Sequence, residues 1–303
     1  MSGRDALIQA LAPIIEYLHR QRTAGGVGDE DALADLVYRV CHGRQPVDAP
    51  GSRASLRDET ARREFAAALS VANTGRGFDY SGVARAVEDD GRVMLRYGGL
   101  SVWTPGRPGA LAGGNVIARF PKEMRNLYQG HYVVIGDADD GLTANPLRLY
   151  WNIGAESAVR LVRAVCDCFN AAGVPFRLKL LDVPAAYTRA DAVILYLPRA
   201  HRVSAAPLVA EVYREHASFM RPPVSAYALP LAAGLSLAED PPDGSSFGMH
   251  RSRLIAACLA EGVPGTDEIG RVMSALEASG FDADHLFRNP GSLDDYPDFV
   301  IAG

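Results

Sequence analysis

Apolar residues at Ala6, Leu7, Leu11, Ile14, Ile15 and Leu18 recur at three- and four-residue intervals, which predicts an amphipathic helix over residues 5–22. A flexible GGVGDED (25–31) follows, in which Asp29 or Asp31 can cap a second helix reaching about His42. Residues 43–55 are rich in Pro, Gly and Ser and read as a loop, and a stretch rich in Arg, Glu and Ala predicts a third helix over roughly 57–72. Residues 1–75 therefore read as an N-terminal helical subdomain, and residues 76–303 as a second unit.

Near residue 90 the period changes. RVMLRYGGLSVWTPG alternates and is punctuated by glycine, and NVIARF and HYVVIGD are short runs of strand character. Leu147 to Ile153 then reads as a strand, Glu156 to Ala172 as a helix ended by Gly173, and Phe176 to Leu181 as a second strand. Strand, helix, strand is a βαβ unit, whose two strands are expected to run parallel and to be possible neighbours. A further strand over Asp191–Leu197 is apolar on both faces, helices are expected near 205–219, 250–262 and 266–280, and the end of the chain reads as loop. No internal repeat or low-complexity run interrupts this pattern. The expected class is α+β: a mixed sheet containing the βαβ unit, with flanking helices.

The two strands of that unit differ sharply between their faces. Leu147, Leu149, Trp151 and Ile153 share one face, and Arg148, Tyr150 and Asn152 the other; Phe176, Leu178 and Leu180 oppose Arg177, Lys179 and Leu181. The crossover helix must cover the apolar faces, which leaves Arg148, Tyr150, Asn152, Arg177 and Lys179 together on the opposite side. A solvated face usually mixes signs, because facing like charges repel. Three cations without an acid point instead to an anion, and the bidentate fork of arginine suits phosphate.

Composition makes such a site local. The chain has 303 residues, 48% hydrophobic and 22% charged, with a net charge of −5, so the surface as a whole does not favour nucleic acid. No apolar signal region opens the sequence, and the longest uncharged run, Pro222 to Ala238, holds three prolines and is too short to span a bilayer. Cys41, Cys166, Cys168 and Cys258 read as reduced thiols of a cytoplasmic protein; the C-x-C pair lies in a helical pattern that points its side chains apart, so no shared metal is expected.

Two later stretches add cations. Tyr187, Arg189 and Asp191 lead into the doubly apolar strand, and His250, Arg251 and Arg253 fall in the first turn of a helix, where cations oppose the macrodipole unless an anion binds there. Gly244 to Gly248 matches G-x-S-x-G, but AEDPPD before it reads as loop where a nucleophile elbow needs a strand. GDADDG (136–141) lacks the glycine and glutamate positions of a calcium loop, and no Walker A, HExxH or zinc spacing occurs.

LRLYWNIGAESAVRLV, VPFRLKLL, YTRADAVILYLP and LSLAEDPPDGSSFGMHRSRLIA, in this order and spacing, resemble the HopA effector family of type III secretion over about residues 115–280. Relatives of that domain serve as the lyase half of split Ser/Thr dehydratases in thioamitide and class V lanthipeptide biosynthesis, and this chain is more similar to that branch. The resemblance implies a phosphoserine or phosphothreonine lyase acting on a phosphorylated precursor peptide, with a kinase-like partner related to aminoglycoside phosphotransferases. It implies no metal or organic cofactor, and the charge balance and the lack of a spanning run leave neither nucleic acid nor membrane as an expected partner.

Elimination of phosphate needs a base for the Cα proton, an acid for the leaving group and cations around it. Lys179 is expected as the base, its neutral form favoured by burial and by Arg177. The strand–helix–strand arrangement also resembles the phosphothreonine lyase effectors of enteric pathogens, whose acid is a histidine on the preceding strand. Tyr150 stands there instead, so the acid is sought among His250, Tyr150 and Tyr187. Arg148, Arg177, Arg189, Arg251 and Arg253 are the expected phosphate-binding set, Asn152 is assigned to the peptide backbone or the enolate oxygen of the substrate, and Asp191 orients Arg189. Two other readings of the same arginines are a phosphopeptide-binding scaffold for the kinase and a host-directed HopA-type effector.

Overall fold

A computed structural model of the chain describes residues 2–23, 29–49, 58–97, 100–106, 112–125, 127–139, 141, 145–261 and 267–301. The GGVG of the first connection, residues 50–55 of the expected loop and Asp140 of GDADDG lie outside the described residues. In chain order the main elements are α1 (Gly3–Thr23), α2 (Glu30–Val37), α3 (Glu59–Ala72), β1 (Asp79–Val83), β2 (Ala86–Val87), β3 (Arg92–Tyr97), β4 (Leu100–Pro105), β5 (Asn115–Arg119), β6 (Glu123–Arg125) and β7 (His131–Ile135). They continue with β8 (Leu147–Trp151), α4 (Ala155–Ala171), β9 (Arg177–Leu181), β10 (Val193–Leu197), α5 (Arg202–His216), β11 (Leu229–Ala232), β12 (Leu235–Glu239), α6 (Phe247–Ala260) and α7 (Glu268–Ala278).

The class is α+β, as the patterning predicts. A seven-stranded sheet runs in the order β11-β12-β8-β10-β9-β7-β6 with each neighbouring pair antiparallel. β8 and β9 do run parallel, but they are not neighbours: β10, the doubly apolar strand, lies between them. Leu161, Val162, Val165 and Phe169 of α4 share one core with Leu149, Trp151, Leu178 and Leu180, so the crossover helix covers the expected face.

The N-terminal helices belong to that same core, through Leu7, Leu11, Ile14, Leu33, Val37 and Leu69. Asp29 caps α2 by accepting from the Asp31 N–H, and α2 continues as a single π turn, Tyr38–His42. This turn and α6 cover the β8 end of the polar face, where His42 and Phe247 pack on the Tyr150 ring at 4.9 and 6.0 Å between centroids. Two small sheets, β1-β5 and β2-β3-β4, stand beside the β7 end and leave a cleft over the rest.

The stretch before GSSFG is corrected. Leu235–Glu239, including the Ala-Glu read as loop, is an interior strand hydrogen-bonded to β8 on one side and β11 on the other. Its prolines obscured it, yet Pro230 lies in β11, the sheet's edge strand, where a missing N–H is tolerated. The loop then starts at Asp240, and Pro-Pro-Asp-Gly turns the chain with Gly244 at φ +74°, a conformation that favours glycine.

Candidate active site

The register of β10 assembles the polar face. Tyr196 stands opposite Arg148 on one side and Arg177 on the other, and Ile194 opposite Tyr150 and Lys179. Both guanidinium groups lie against the Tyr196 ring, with Cζ 5.3 Å from its centroid for Arg148 and 5.8 Å for Arg177. Together with Lys179 they line one end of a cleft of about 300 Å³. The strand read as merely apolar thus supplies the residue that joins two expected cations.

Lys179 is half-buried in this cleft, and its Nζ sits 4.4 Å from the centroid of the Tyr128 ring. Burial, aided by the charges of Arg148 and Arg189 and opposed by Asp191, lowers its pKa to about 8. The expected depression is present, but the cations responsible come from β8 and from the turn before β10, not from adjacent Arg177.

Asp240, which the sequence hid in the AEDPPD stretch, also lines the cleft and forms an ion pair with Arg148. Arg148 further donates to the Ser245 carbonyl at 3.3 Å. Burial opposes the Arg148 charge, but Tyr150, Tyr196 and Asp240 more than offset it and hold its pKa above the ordinary range. The Asp240 carboxyl is pushed up, mainly by burial, although Arg148 draws it down.

Beneath the cleft is a buried polar network. Arg189 donates from Nε to Asp191 at 2.6 Å and from Nη2 to the Tyr38 hydroxyl at 2.6 Å, while Tyr38 donates to Asp191 at 2.5 Å. Asp191 therefore orients Arg189, and Arg189 with Tyr38 holds its carboxyl below the usual range against the effect of burial. His42 stands 3.6 Å from Asp191 and shares a 2.7 Å hydrogen bond with Ser225. This series has the residue types of a hydrolase triad, but Ser225, His42 and Asp191 are all buried, and burial lowers the His42 pKa to about 4. It braces the floor.

Several expected site residues are placed elsewhere. The Tyr150 hydroxyl lies beside Arg148 under the π turn and does not line the cleft; burial raises its pKa despite Arg148, which suits a structural phenol better than an acid. Tyr187 is buried, donates to the Leu181 carbonyl at 2.8 Å and packs on Phe65. Asn152 donates to the Pro223 carbonyl at 2.8 Å, tying β8 to the loop before β11. His250 packs on the Phe281 ring and lies 3.2 Å from an Arg251 nitrogen, with its pKa lowered by burial and by Arg251.

Arg251 is corrected most clearly. It is 0% exposed, lies between the Phe247 and Phe281 rings, and donates to the carbonyls of Leu286 and Arg288 and to Asn289. Its charge is spent on closing the C-terminal loop, and that explains a cation in the first turn of α6 without an anion. Arg253 points to solvent from the same helix, outside the cleft. The structure thus gathers Arg148, Arg177 and Lys179 at the cleft with Arg189 and Asp191 below, and adds Tyr128, Tyr196 and Asp240.

His131 was also missed. On β7 it is two residues along from Val133, the residue opposite Lys179, and it feels the charges of Lys179 and Arg189. Burial is the first cause of its depressed pKa of about 4, and its Nδ1 bonds the Gln129 carbonyl at 2.9 Å. It opens on a second groove with Arg62 and Asp182, and its ring lies 6.5 Å from that of Tyr128.

The remaining motifs are accounted for locally. Ser246 precedes α6 after the PPDG turn, so no strand feeds it. Asp137 accepts the N–H groups of Arg76 and Gly77 at 2.6 and 2.9 Å, and Asp139 accepts the Tyr97 hydroxyl. Among the described residues no group of three His, Cys, Asp or Glu could hold a metal ion, and no helix is long and apolar enough to cross a membrane.

Comparison with known proteins adds a family. The model of the HopA1 effector protein family matches residues 123–288, more than half of the chain, and that span holds every residue of the cationic end of the cleft. Two solved structures are similar: the effector protein from Pseudomonas syringae pv. tomato strain DC3000, 16% identical with a TM-score of 0.49, covering 92% of this chain and 97% of that one. The second is the effector protein from Pseudomonas syringae pv. syringae strain 61, 18% identical with a TM-score of 0.48, covering 92% and 96%. No curated protein matches the chain.

Proposed function

The chain belongs to the HopA1 effector protein family, and within it we propose that this protein is a phosphoserine/phosphothreonine lyase. The observation that carries the reading is the depressed Lys179 in one cleft with the ion-paired Arg148 and with Arg177. A site that only binds phosphate has no use for a shielded, partly neutral lysine; a site that removes a proton beside phosphate does.

In the proposed reaction, neutral Lys179 takes the Cα proton of the phosphorylated residue. The electron pair forms the Cα–Cβ double bond, the Cβ–O bond breaks, and phosphate leaves between Arg148 and Arg177. The product is dehydroalanine from phosphoserine or dehydrobutyrine from phosphothreonine. Arg148 exchanges Asp240 for the incoming phosphate, and a carboxylate left beside a dianion holds a proton more tightly, as like charges in one site do. Asp240 is therefore the group proposed to protonate the departing oxygen, in place of His250, Tyr150 and Tyr187.

The resemblance supports the biological setting: a ribosomally made precursor peptide, phosphorylated by a kinase-like partner, as in thioamitide or class V lanthipeptide pathways. The competing reading is a phosphopeptide-binding scaffold. Lys179→Ala separates them: the lyase reading expects elimination to fall by at least about a thousandfold with phosphopeptide binding retained. Near-normal turnover in that variant refutes the assignment of the base.

A further inference from the structure

The cleft has two unlike ends. Besides the cations it is lined by Phe78, Tyr97, Phe120, Met124, Val133 and Ile135, of which Val133 and Ile135 pair with Lys179 and Arg177 in the β7–β9 register. This wall is built: Phe78 and Phe120 stack at 5.1 Å with an 11° interplanar angle, Tyr97 lies 4.5 Å from Phe120, and the Tyr97 hydroxyl is anchored on Asp139. A phosphate gains nothing from it. At about 300 Å³ the cleft also holds roughly ten waters' worth of space, well beyond one phosphate group.

The wall draws on two parts of the chain. Phe78, Tyr97 and Phe120 are contributed by β1, β3 and β5 or the residues flanking them, outside the 123–288 span that matches the family, whereas Met124, Val133 and Ile135 come from β6 and β7 and lie within it, as do Arg148, Arg177 and Lys179.

Resting on the phosphopeptide site proposed above, we infer that the aromatic wall is a subsite for an aliphatic or aromatic side chain two positions from the phosphorylated residue of a peptide substrate. In an extended peptide, residues i and i±2 point to the same side, about 7 Å apart, so both enter one cleft while i±1 points away. The phosphate pairs with the cationic end, and the apolar side chain is withdrawn from water against Phe78, Phe120 and Val133.

The test is binding of phosphopeptides to the Lys179→Ala protein, each carrying Leu, Phe, Ser or Asp two positions before or after phosphothreonine, beside unphosphorylated controls. Leu or Phe on one side should bind about tenfold or more tightly than Ser, as burial of such a side chain warrants, and Asp more weakly still. Val133→Thr, which keeps volume, should cut the Leu preference severalfold without changing the affinity ratio of phosphorylated to unphosphorylated Ser peptide. Phosphate-dependent binding that is indifferent to the ±2 residue overturns the subsite and leaves the phosphate site standing. Binding without phosphate dependence overturns both. The peptide series decides the matter with the unaltered wall, whatever the stability of the Val133 variant.

Discussion

The Nζ of Lys179 lies 4.4 Å from the centroid of the Tyr128 ring, so the proposed base is capped by an aromatic face at the mouth of its cleft. Tyr128 is 51% exposed and is carried by the connection between β6 and β7. A ring face favours the ammonium form and opposes the burial that lowers the Lys179 pKa to about 8.

The sign of a Tyr128 substitution follows. Lys179 must be neutral to accept a proton, so elimination should rise with pH along a limb centred near 8 in the native protein. Tyr128→Leu removes the ring face but keeps bulk, which lowers the lysine pKa and moves that limb to lower pH by about half a unit. A pH profile of kcat/KM checks it; a shift to higher pH would show that Tyr128 shields Lys179 from water rather than stabilising its charge.

Arg148 and Arg177 flank one ring and should act as a pair. Replacing either by Met is expected to lower kcat/KM by roughly 100-fold, because charge grows on the leaving phosphate in the transition state. Since the two share one substrate group, the double variant should lose less than the product of the single losses. Steady-state kinetics on the three proteins decides this.

Asp240→Asn keeps the shape, removes the negative charge beside the phosphate site and leaves no acid. Phosphopeptide binding should tighten while kcat falls by roughly 100-fold or more. Weaker binding with unchanged kcat would show that Asp240 serves only to position Arg148.

Arg251 was read from the sequence as a phosphate ligand, and its geometry predicts otherwise. Arg251→Met should leave phosphopeptide affinity of the folded protein unchanged and cost about 3 kcal/mol of stability, because it strands the carbonyls of Leu286 and Arg288. Denaturant unfolding measures the cost directly.

These contrasts show what the sequence could and could not carry. Period-two alternation placed Arg148, Arg177 and Lys179 on one face, because a strand's sidedness is local. Strand order is not local: the insertion of β10, and with it Tyr196 between the arginines, depends on pairing across the sheet. The run from Pro222 hid β12 behind prolines of which Pro230 lies in the edge strand, and so hid that Asp240 leaves a central strand at the cleft. Arg251 and His250 were misplaced for a related reason. A cation in a first helical turn looks unfavourable from the sequence alone, and only the returning C-terminal loop supplies its partners.

The central claim, that the protein eliminates phosphate, is tested most directly by mass spectrometry of a phosphothreonine peptide incubated with the protein, alone and with its kinase-like partner. The account predicts a product that has lost the whole of phosphoric acid and that adds a thiol at the new double bond. A peptide unchanged in both incubations, or one that keeps its hydroxyl as a phosphatase would leave it, contradicts the account.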